Sequence, residues 1–361
     1  MKEKLISLFL LLAMLLCGCA EAEPQKSITE APTAAATVAA NTAAGDGLTV
    51  HFIDVGQADC ALLECDGAYM IIDGGNKEDG QLVVSYLEQQ GVEELSAVVC
   101  THAHEDHVGG LPSVLAVYPT SAVYAPTRTY SSNIFDDFVY YTDQQGLEIT
   151  IPDPGDTWNL GSAEITVLGP TQSYADPNDT SIVLKVEYGD TSFLFTGDME
   201  TTAENDMLDY WEGQVDWNTD VLKVGHHGSN TSTGYRFLNE VNPTYGVISV
   251  GKDNSYGHPH EEPMSRLNQA GVTLLRTDEL GHVIATSNGT EITFTWNNQS
   301  GSPTNVEPAE TTAITFIGNK NSKKLHTQDC ANLPKEENQV AFDSYQDAID
   351  AGYTPCGSCL G

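Results

Sequence analysis

The sequence predicts an α/β protein: a four-layer αβ/βα sandwich followed by a small zinc-stapled α+β domain. Three observations carry that reading. From Leu48 to Trp296, short apolar runs of strand length alternate with helical segments in two similar halves, each with strands first and helices after. Histidines and aspartates sit where strand-like runs end, at 101–107, 196–198 and 226–227. The last stretch, 312–361, holds two close pairs of metal-binding side chains, His326 with Cys330 and Cys356 with Cys359.

Taken in order, residues 1–19 form a leader: two lysines, the apolar run Leu5 to Leu16, then small residues. The apolar core is short for a membrane span, as in a secretory signal. Leu16-Cys17-Gly18-Cys19 resembles a bacterial lipobox, which implies that Cys19 is the lipidated first residue of the mature chain and its anchor to the outer face of the cell membrane. Residues 20–47, rich in Ala, Thr and Pro without apolar periodicity, read as a tether.

Residues 48–298 read as the large domain. Leu48 to Asp54, Cys60 to Cys65 and Tyr69 to Asp73 are strand-like runs broken by Gly-containing turns, followed by a helix at Leu82 to Gln90 and a strand at Leu95 to Cys100. A helix to Tyr118, a strand at Ala122 to Ala125 and a helix at Asn133 to Gln145 come next. Strands are expected at Leu147 to Ile151, Ala163 to Leu168, Thr180 to Tyr188 and Thr191 to Thr196, then a helix at Glu200 to Tyr210 and a strand at Asp220 to Val224. Helices at Thr233 to Glu240 and Glu262 to Ala270 each precede a strand, and the pair His282 to Ser287 and Glu291 to Trp296 closes the domain. Residues 299–311, with Ser, Gly, Pro and Asn, read as a second linker.

Composition limits the partners. Fifteen Lys and Arg against 51 Asp and Glu give a formal charge of -36, which repels polyanions at long range. Charged residues are 18% and hydrophobic residues 40%, so the chain should fold, as a monomer, rather than behave as an acidic tail.

The central chemistry lies in Thr101-His102-Ala103-His104-Glu105-Asp106-His107, where three imidazoles and a carboxylate crowd a turn after an apolar strand. Such a set suits zinc or a neighbouring divalent ion. Asp198 ends the Leu194 to Asp198 run, and His226-His227 follows the strand ending at Val224. Brought to one sheet edge, these define a two-metal site: His102 and His104 on one ion, Asp106 and His107 on the other, Asp198 bridging. His227 is preferred as the remaining ligand of the second ion, with His226 as a substrate contact. Two bridged ions activate water for hydrolysis. Lys223 and His258 are candidates for contacting an anionic substrate or protonating a leaving group. Asp54 and Asp73 either buttress the ligand loop or serve turns. His51, His260 and His282 read as structural. Cys60 and Cys65 face opposite sides of one run and read as core residues.

Several pieces together resemble one family: His51-Phe52-Ile53-Asp54-Val55-Gly56-Gln57-Ala58-Asp59, Ile72-Asp73-Gly74-Gly75, the H-x-H-x-D-H run, Asn178-Asp179-Thr180-Ser181, Thr196-Gly197-Asp198, Lys223-Val224-Gly225-His226-His227-Gly228-Ser229 and Asn254-Ser255-Tyr256-Gly257-His258-Pro259. They resemble metallo-β-lactamase-fold hydrolases, and within them the extracellular domain of ComEC-type competence proteins. The resemblance implies one or two divalent ions, Zn or Mn, and a phosphodiesterase or nuclease acting on DNA. It also implies a thin first metal position, because many relatives place another histidine near 178–181, where this chain has none.

Residues 312–361 are too few to build much of a core unaided. His326-x3-Cys330 and Cys356-x2-Cys359 read as ligands of one structural zinc that supplies folding energy, with Phe316, Leu325, Phe342 and Tyr345 as core; a disulfide among the three cysteines is the competing arrangement. The segment resembles the zinc-binding domain of Ada-type DNA repair proteins. His326 stands where those carry the methyl-accepting cysteine, so zinc binding carries over and methyl transfer does not. Lys320, Lys323 and Lys324 form a local basic patch. Three functions follow as expectations: a lipid-anchored two-metal phosphodiesterase on DNA; a hydrolase of small phosphodiesters, phosphorylcholine-type wall esters or lactones; or a non-catalytic surface binding module.

Overall fold

Strand alternation decides the layers. A computed structural model describes residues 47–304 and 316–360, apart from positions 329, 343 and 344. The expected leader, its Cys19 and nearly all of the tether lie outside the described residues, as do 305–315 of the second linker and the start of the small domain.

The chain lays down β1 (Leu48–Phe52), β2 (Ala61–Cys65), β3 (Ala68–Ile72), β4 (Ala97–Val99), β5 (Val123–Tyr124) and β6 (Ile149–Thr150). It then builds β7 (Thr157–Leu160), β8 (Ala163–Gly169), β9 (Val183–Tyr188), β10 (Thr191–Phe195), β11 (Val221–Lys223), β12 (Tyr245–Ile248) and β13 (Thr273–Arg276), and returns with β14 (Val283–Ser287) and β15 (Ile292–Trp296). Two sheets result, ordered β15-β14-β1-β2-β3-β4-β5-β6 and β13-β12-β11-β10-β9-β8-β7. The return of β14 to pair with β1 ties the two ends of the domain together.

Leu48, Val50 and Phe52 of β1 face the other sheet and meet Phe193, Phe195 and Val221, with Phe52 stacked on Phe195 at 5.8 Å. Leu62, Ile71 and Val98 point the opposite way, under α1 (Gly80–Gln89), α3 (Leu111–Val117) and α4 (Asn133–Gln144). The second sheet likewise covers its outer face with α5 (Thr201–Tyr210), α6 (Tyr235–Val241) and α7 (Glu261–Gln269). The order is therefore helix, sheet, sheet, helix, as expected. Cys60 and Cys65 fall into opposite cores and are free thiols.

Two expectations shift. The strand expected from Thr180 starts at Val183, because Asn178–Thr180 closes a 310 turn in which Ser181 N–H returns to Asn178 O. The edge strand β7 is not among the expected elements; it has only four residues, with Trp158 and Leu160 turned to the core and Thr157 and Asn159 exposed, too short a pattern to stand out.

The carboxy-terminal segment forms its own sheet, β18 (Gln339–Phe342), β16 (Phe316–Asn319), β17 (Lys324–His326) and β19 (Thr354–Pro355), with α9 (Tyr345–Asp350). Phe316, Leu325, Tyr345, Tyr353 and Leu360 make its core. Tyr235, at the first turn of α6, joins that core edge-on to Phe316 at 5.1 Å and stacked on Tyr345 at 6.0 Å.

Candidate metal centre

The ligand-bearing segments are the connections that leave strand ends. After β4, Cys100 and Thr101 run into a turn, and His104 stands just before the short helix α2 (Glu105–Val108), whose first turn carries Asp106 and His107. After β10, Gly197 turns with φ of +52° beneath Thr101 and Ser181; a Cβ there would lie 2.8 Å from the Ser181 hydroxyl, so only glycine lets Asp198 reach the loop. After β11, His226 and His227 both adopt left-handed backbone, φ 48° and 52°, which sends successive rings in different directions. His227 is buried, and His226 stands at the rim with its side chain about a fifth exposed (21%). Gly228, φ +79°, packs so tightly on Pro259 that a Cβ would approach the ring carbon at 2.6 Å.

Asp106, His107, Asp198 and His227 converge, with one ligand atom from each lying within 4.8 Å of the others. His107 Nε2 is 3.3 Å from Asp198 Oδ1, and His227 Nε2 is 3.3 Å from Asp106 Oδ2 and 3.6 Å from Asp198 Oδ2. The opposite nitrogens are already engaged. His227 Nδ1 faces the Ser249 carbonyl at 2.9 Å, which only accepts, so the proton sits on Nδ1 and Nε2 presents a lone pair. His107 Nδ1 faces Asp73 Oδ2 at 2.8 Å, with the same result. Two lone pairs and two carboxylates thus point at one space. Among the described residues His107 Nε2, His227 Nε2 and Asp198 Oδ1 are buried without a hydrogen-bond partner. The arrangement is self-repulsive unless a cation lies between, and its mixed N and O donors fit a divalent ion.

The electrostatics report the same demand. Burial alone would push the Asp198 carboxyl up, but His107 and His227 outweigh it and hold it well below the usual range. Asp106 behaves alike: burial opposes ionisation, and His107 and His227 overcome it. Conversely, burial disfavours charge on His227, yet Asp198 and Asp59 raise its pKa to about 10, so without a metal a proton stands in for the cation.

His102 and His104 form a pair beside this cluster, Nε2 to Nδ1 at 3.1 Å, with the His102 ring 4.1 Å from that of His107. Among the described residues they join none of the groups whose ligand atoms converge within 4.8 Å. Four of the six expected ligands therefore gather, and the other two stand next to them as a pair.

Asp73 is a buttress: left-handed at φ 60°, it accepts from Thr101 N–H and Oγ1, both at 2.7 Å, and faces His107. Asp54 is not; it caps its own turn through Gly56 N–H, and its backbone N–H donates to His282 Nδ1. Lys223 corrects the expectation of a substrate contact. It is 4% exposed, and its Nζ lies 2.5 Å from Asp59 Oδ2 and 3.0 Å from Val224 O. Its position at the end of β11, between two sheets, turns it inward. Asp59, which sequence reasoning missed as a functional residue, also faces His227 Nδ1 at 3.2 Å. The only signal for it was its place in the Val55-Gly56-Gln57-Ala58-Asp59 turn. His258 does stand at the mouth, its ring 5.6 Å from His226 and 6.3 Å from His227, with Nδ1 3.3 Å from the Gln57 amide. Burial, then His227 and His226, push it down to about 4, so it is neutral at pH 7.

In the small domain His326, Cys330, Cys356 and Cys359 converge as a second metal-type group, with His326 Nδ1 3.3 Å from Cys330 Sγ and all three thiols free. Of the basic patch, Lys320 donates to Glu337 O, Lys324 to Pro355 O, and Lys323 lies over the Tyr353 ring at 4.3 Å.

A four-layer sandwich with a His/Asp cluster at the ends of inner strands defines a metal-dependent hydrolase fold that binds divalent ions. The chain belongs to the metallo-beta-lactamase superfamily, whose model matches residues 53–252. It is 29% identical to ComE operon protein 3 of Bacillus subtilis over 74% of this chain and 35% of that protein. It is 31% identical to competence protein ComA of Neisseria gonorrhoeae over 63% of this chain and 30% of that one. The chain thus spans about a third of the length of these curated relatives. Among solved structures it is similar to the metallo-beta-lactamase fold protein YhfI of Bacillus subtilis, at a TM-score of 0.47 and 13% identity over 67% of this chain and all (100%) of that one.

Proposed function

We propose that this chain is a lipid-anchored phosphodiesterase that works outside the cytoplasm, with DNA as its substrate. The observation that carries the catalytic part is the convergence of two imidazole lone pairs and two carboxylates at one sheet edge, with His107 Nε2, His227 Nε2 and Asp198 Oδ1 buried and, among the described residues, unpartnered. Asp106, His107, Asp198 and His227 would hold a divalent ion, with His102 and His104 beside them for another. A bound ion lowers the pKa of water and polarises a phosphoryl oxygen. Asp73 and the Ser249 carbonyl fix the tautomers of His107 and His227, so both rings present Nε2. His226, held by Glu200 Oε1 at 3.3 Å and Thr231 Oγ1 at 3.2 Å, and His258 across from it are the rim groups that meet the substrate.

DNA is supported by the similarity to a competence protein and by the Ada-like tail. A second reading, small phosphodiesters, is favoured by a specific observation: Lys223 is sealed behind the site, and the three patch lysines are occupied within their own domain. With a charge of -36, binding of DNA would rest on few cations and so be weak, with little counterion release to drive it. The test is hydrolysis of single- and double-stranded DNA and of bis-p-nitrophenyl phosphate by the Mn- or Zn-loaded full chain, with Asp198→Ala alongside. Cleavage of DNA that Asp198→Ala abolishes supports the first reading. Diester hydrolysis without DNA cleavage selects the second, and no hydrolysis of either removes both.

A further inference from the structure

Two cavities flank the metal cluster, and their walls differ in kind. One, of about 690 Å³, starts at His258 and is edged by Lys252, Arg276, Asp278 and Glu279, a strongly polar wall. The other, of about 550 Å³, starts at Ala103, between His102 and His104, and at Thr180, beside the Ser181 whose hydroxyl accepts from Asp198 N–H. Tyr130 lies on its wall, its ring edge-on to His104 at 6.3 Å and braced by Phe135 at 6.1 Å. The cavity therefore begins at the metal-binding loop itself.

Among the described residues its wall contains no Lys, Arg or His, and Asp153, exposed, is its one carboxylate. Tyr130, Tyr174, Ile151 and five prolines supply flat apolar surface, edged by threonines and Gln172. Ile151 is 48% exposed, a large aliphatic side chain left open on this wall. Such a surface offers nothing to a phosphate. A cage for a quaternary ammonium sets aromatic rings about the cation; here prolines outnumber the tyrosines, and the single carboxylate is in water. A flat, uncharged ring fits instead, with its faces on Tyr and Pro and its edge atoms on Thr and Gln.

We propose that this cavity is the subsite for a nucleobase carried on one arm of a phosphodiester whose phosphorus lies at the metal cluster. The assignment rests on the phosphodiesterase reading above and adds where the base goes. It also reconciles the acidity of the chain with a nucleotide substrate, because recognition runs through an uncharged ring rather than through the phosphate chain.

The test uses three p-nitrophenyl phosphodiesters that share a leaving group and differ in the retained arm: thymidine, methyl or choline. With the metal-loaded full chain, kcat/KM for the thymidine ester exceeds that for the methyl ester by about tenfold or more, the size of one stacking contact. Ala175→Trp, an exposed wall position that a large ring would fill, and Tyr130→Ala each bring that ratio towards one. A second readout needs no turnover: saturation transfer from metal-free protein to the thymidine ring protons, lost in Ala175→Trp. A thymidine-to-methyl ratio near one in the unaltered chain, a ratio unmoved by both variants, or a preference for choline overturns the subsite. If none of the three esters is hydrolysed while saturation transfer is present and lost in Ala175→Trp, the ring site stands and the phosphodiesterase reading falls. Absence of both hydrolysis and transfer removes the two together.

Discussion

Lys223 Nζ sits 2.5 Å from Asp59 Oδ2, an ion pair sealed directly behind His227. Burial would raise the Asp59 carboxyl, yet Lys223 first and then His227 hold it below the usual range. Asp59 thereby stays ionised, its Oδ1 3.2 Å from His227 Nδ1, while Lys223 keeps an uncompensated negative charge from collecting behind the metal cluster. The lysine acts through another residue, so its loss should be read first in stability.

Removing one partner of a buried pair strands the other's charge, at a cost of about 3–5 kcal/mol. Lys223→Met should therefore lower the urea-unfolding free energy of the metal-free protein by about that much. Asp59→Asn combined with Lys223→Met should recover more than half of the loss, because no charge is then stranded. Equal destabilisation by the single and double variants would show that packing, not charge, sets the effect.

Asp73→Asn tests tautomer control. An amide can turn its N–H towards His107 Nδ1, which would move the ring proton to Nε2 and withdraw the lone pair from the cluster. Metal affinity should fall about 10- to 100-fold in a chelator competition. The ring nitrogen shifts of His107 in the zinc-loaded protein should show whether Nε2 still binds the ion. Unchanged affinity would mean that Asp73 serves only the Thr101 turn.

The adjacent histidines should separate cleanly. His227→Ala removes a buried Nε2 aimed at Asp106 and Asp198, so metal content should fall below one equivalent in the large site. His226→Ala leaves that set intact and should retain metal while kcat for any hydrolysed diester drops about 100-fold or more, the range of a positioned acid–base side chain. Reversed metal contents would reassign the two rings.

These residues also mark what the sequence discloses. Near-continuous apolar runs in β2 to β4 reveal their strands because both faces are buried, and Leu48, Val50 and Phe52 against Leu62 and Ile71 place the two cores. Histidine and aspartate at strand ends identify the metal centre, since such side chains crowd together at a cost without a ligand. Lys223 misleads for the opposite reason: a charged residue at a strand end is normally solvated, and only the tertiary pairing with Asp59, 164 positions away in the chain, makes burial tolerable. Asp59 itself carries no local sign of its role. The strand β7 hides because it is short: Thr157 and Asn159 alternate with the inward Trp158 and Leu160, but four residues give only two apolar positions to mark it.

Cys356→Ser should remove one metal equivalent from the chain and leave the large site loaded. The small core of Phe316, Leu325 and Tyr345 is modest, so without its metal the tail should lose amide-exchange protection across 316–360, while β1 to β4 remain protected. Tyr235 should then become more exposed to solvent, because its ring partners Phe316 and Tyr345 belong to the tail. Full protection in the variant would mean that the core holds without the ion.

His51 should give the fold an acid-sensitive element remote from the metal centre. Its ring is buried, Nδ1 is hydrogen-bonded to Tyr86 Oη at 2.9 Å, and Nε2 has no partner. Charging it would bury an unpaired N–H beside His282. Burial first, and then His282, lower its pKa from 6.5 to about 4. In the unfolded chain the ring binds a proton near pH 6.5, whereas the folded chain refuses it until about pH 4, so the unfolded state carries more protons throughout that window. The stabilisation is complete above pH 6.5 and lost as pH falls towards 4, a total of about 3 kcal/mol from this group. His282 is displaced in the same direction, again through burial, and adds to the slope. Urea unfolding of metal-free protein from pH 7.5 to 4 should show stability falling with acid, and His51→Phe, which cannot titrate, should flatten that dependence while leaving the His282 share. An unchanged slope in His51→Phe would place the proton uptake elsewhere, and the ring nitrogen shifts of His51 across the same titration would show directly whether it stays neutral down to pH 5.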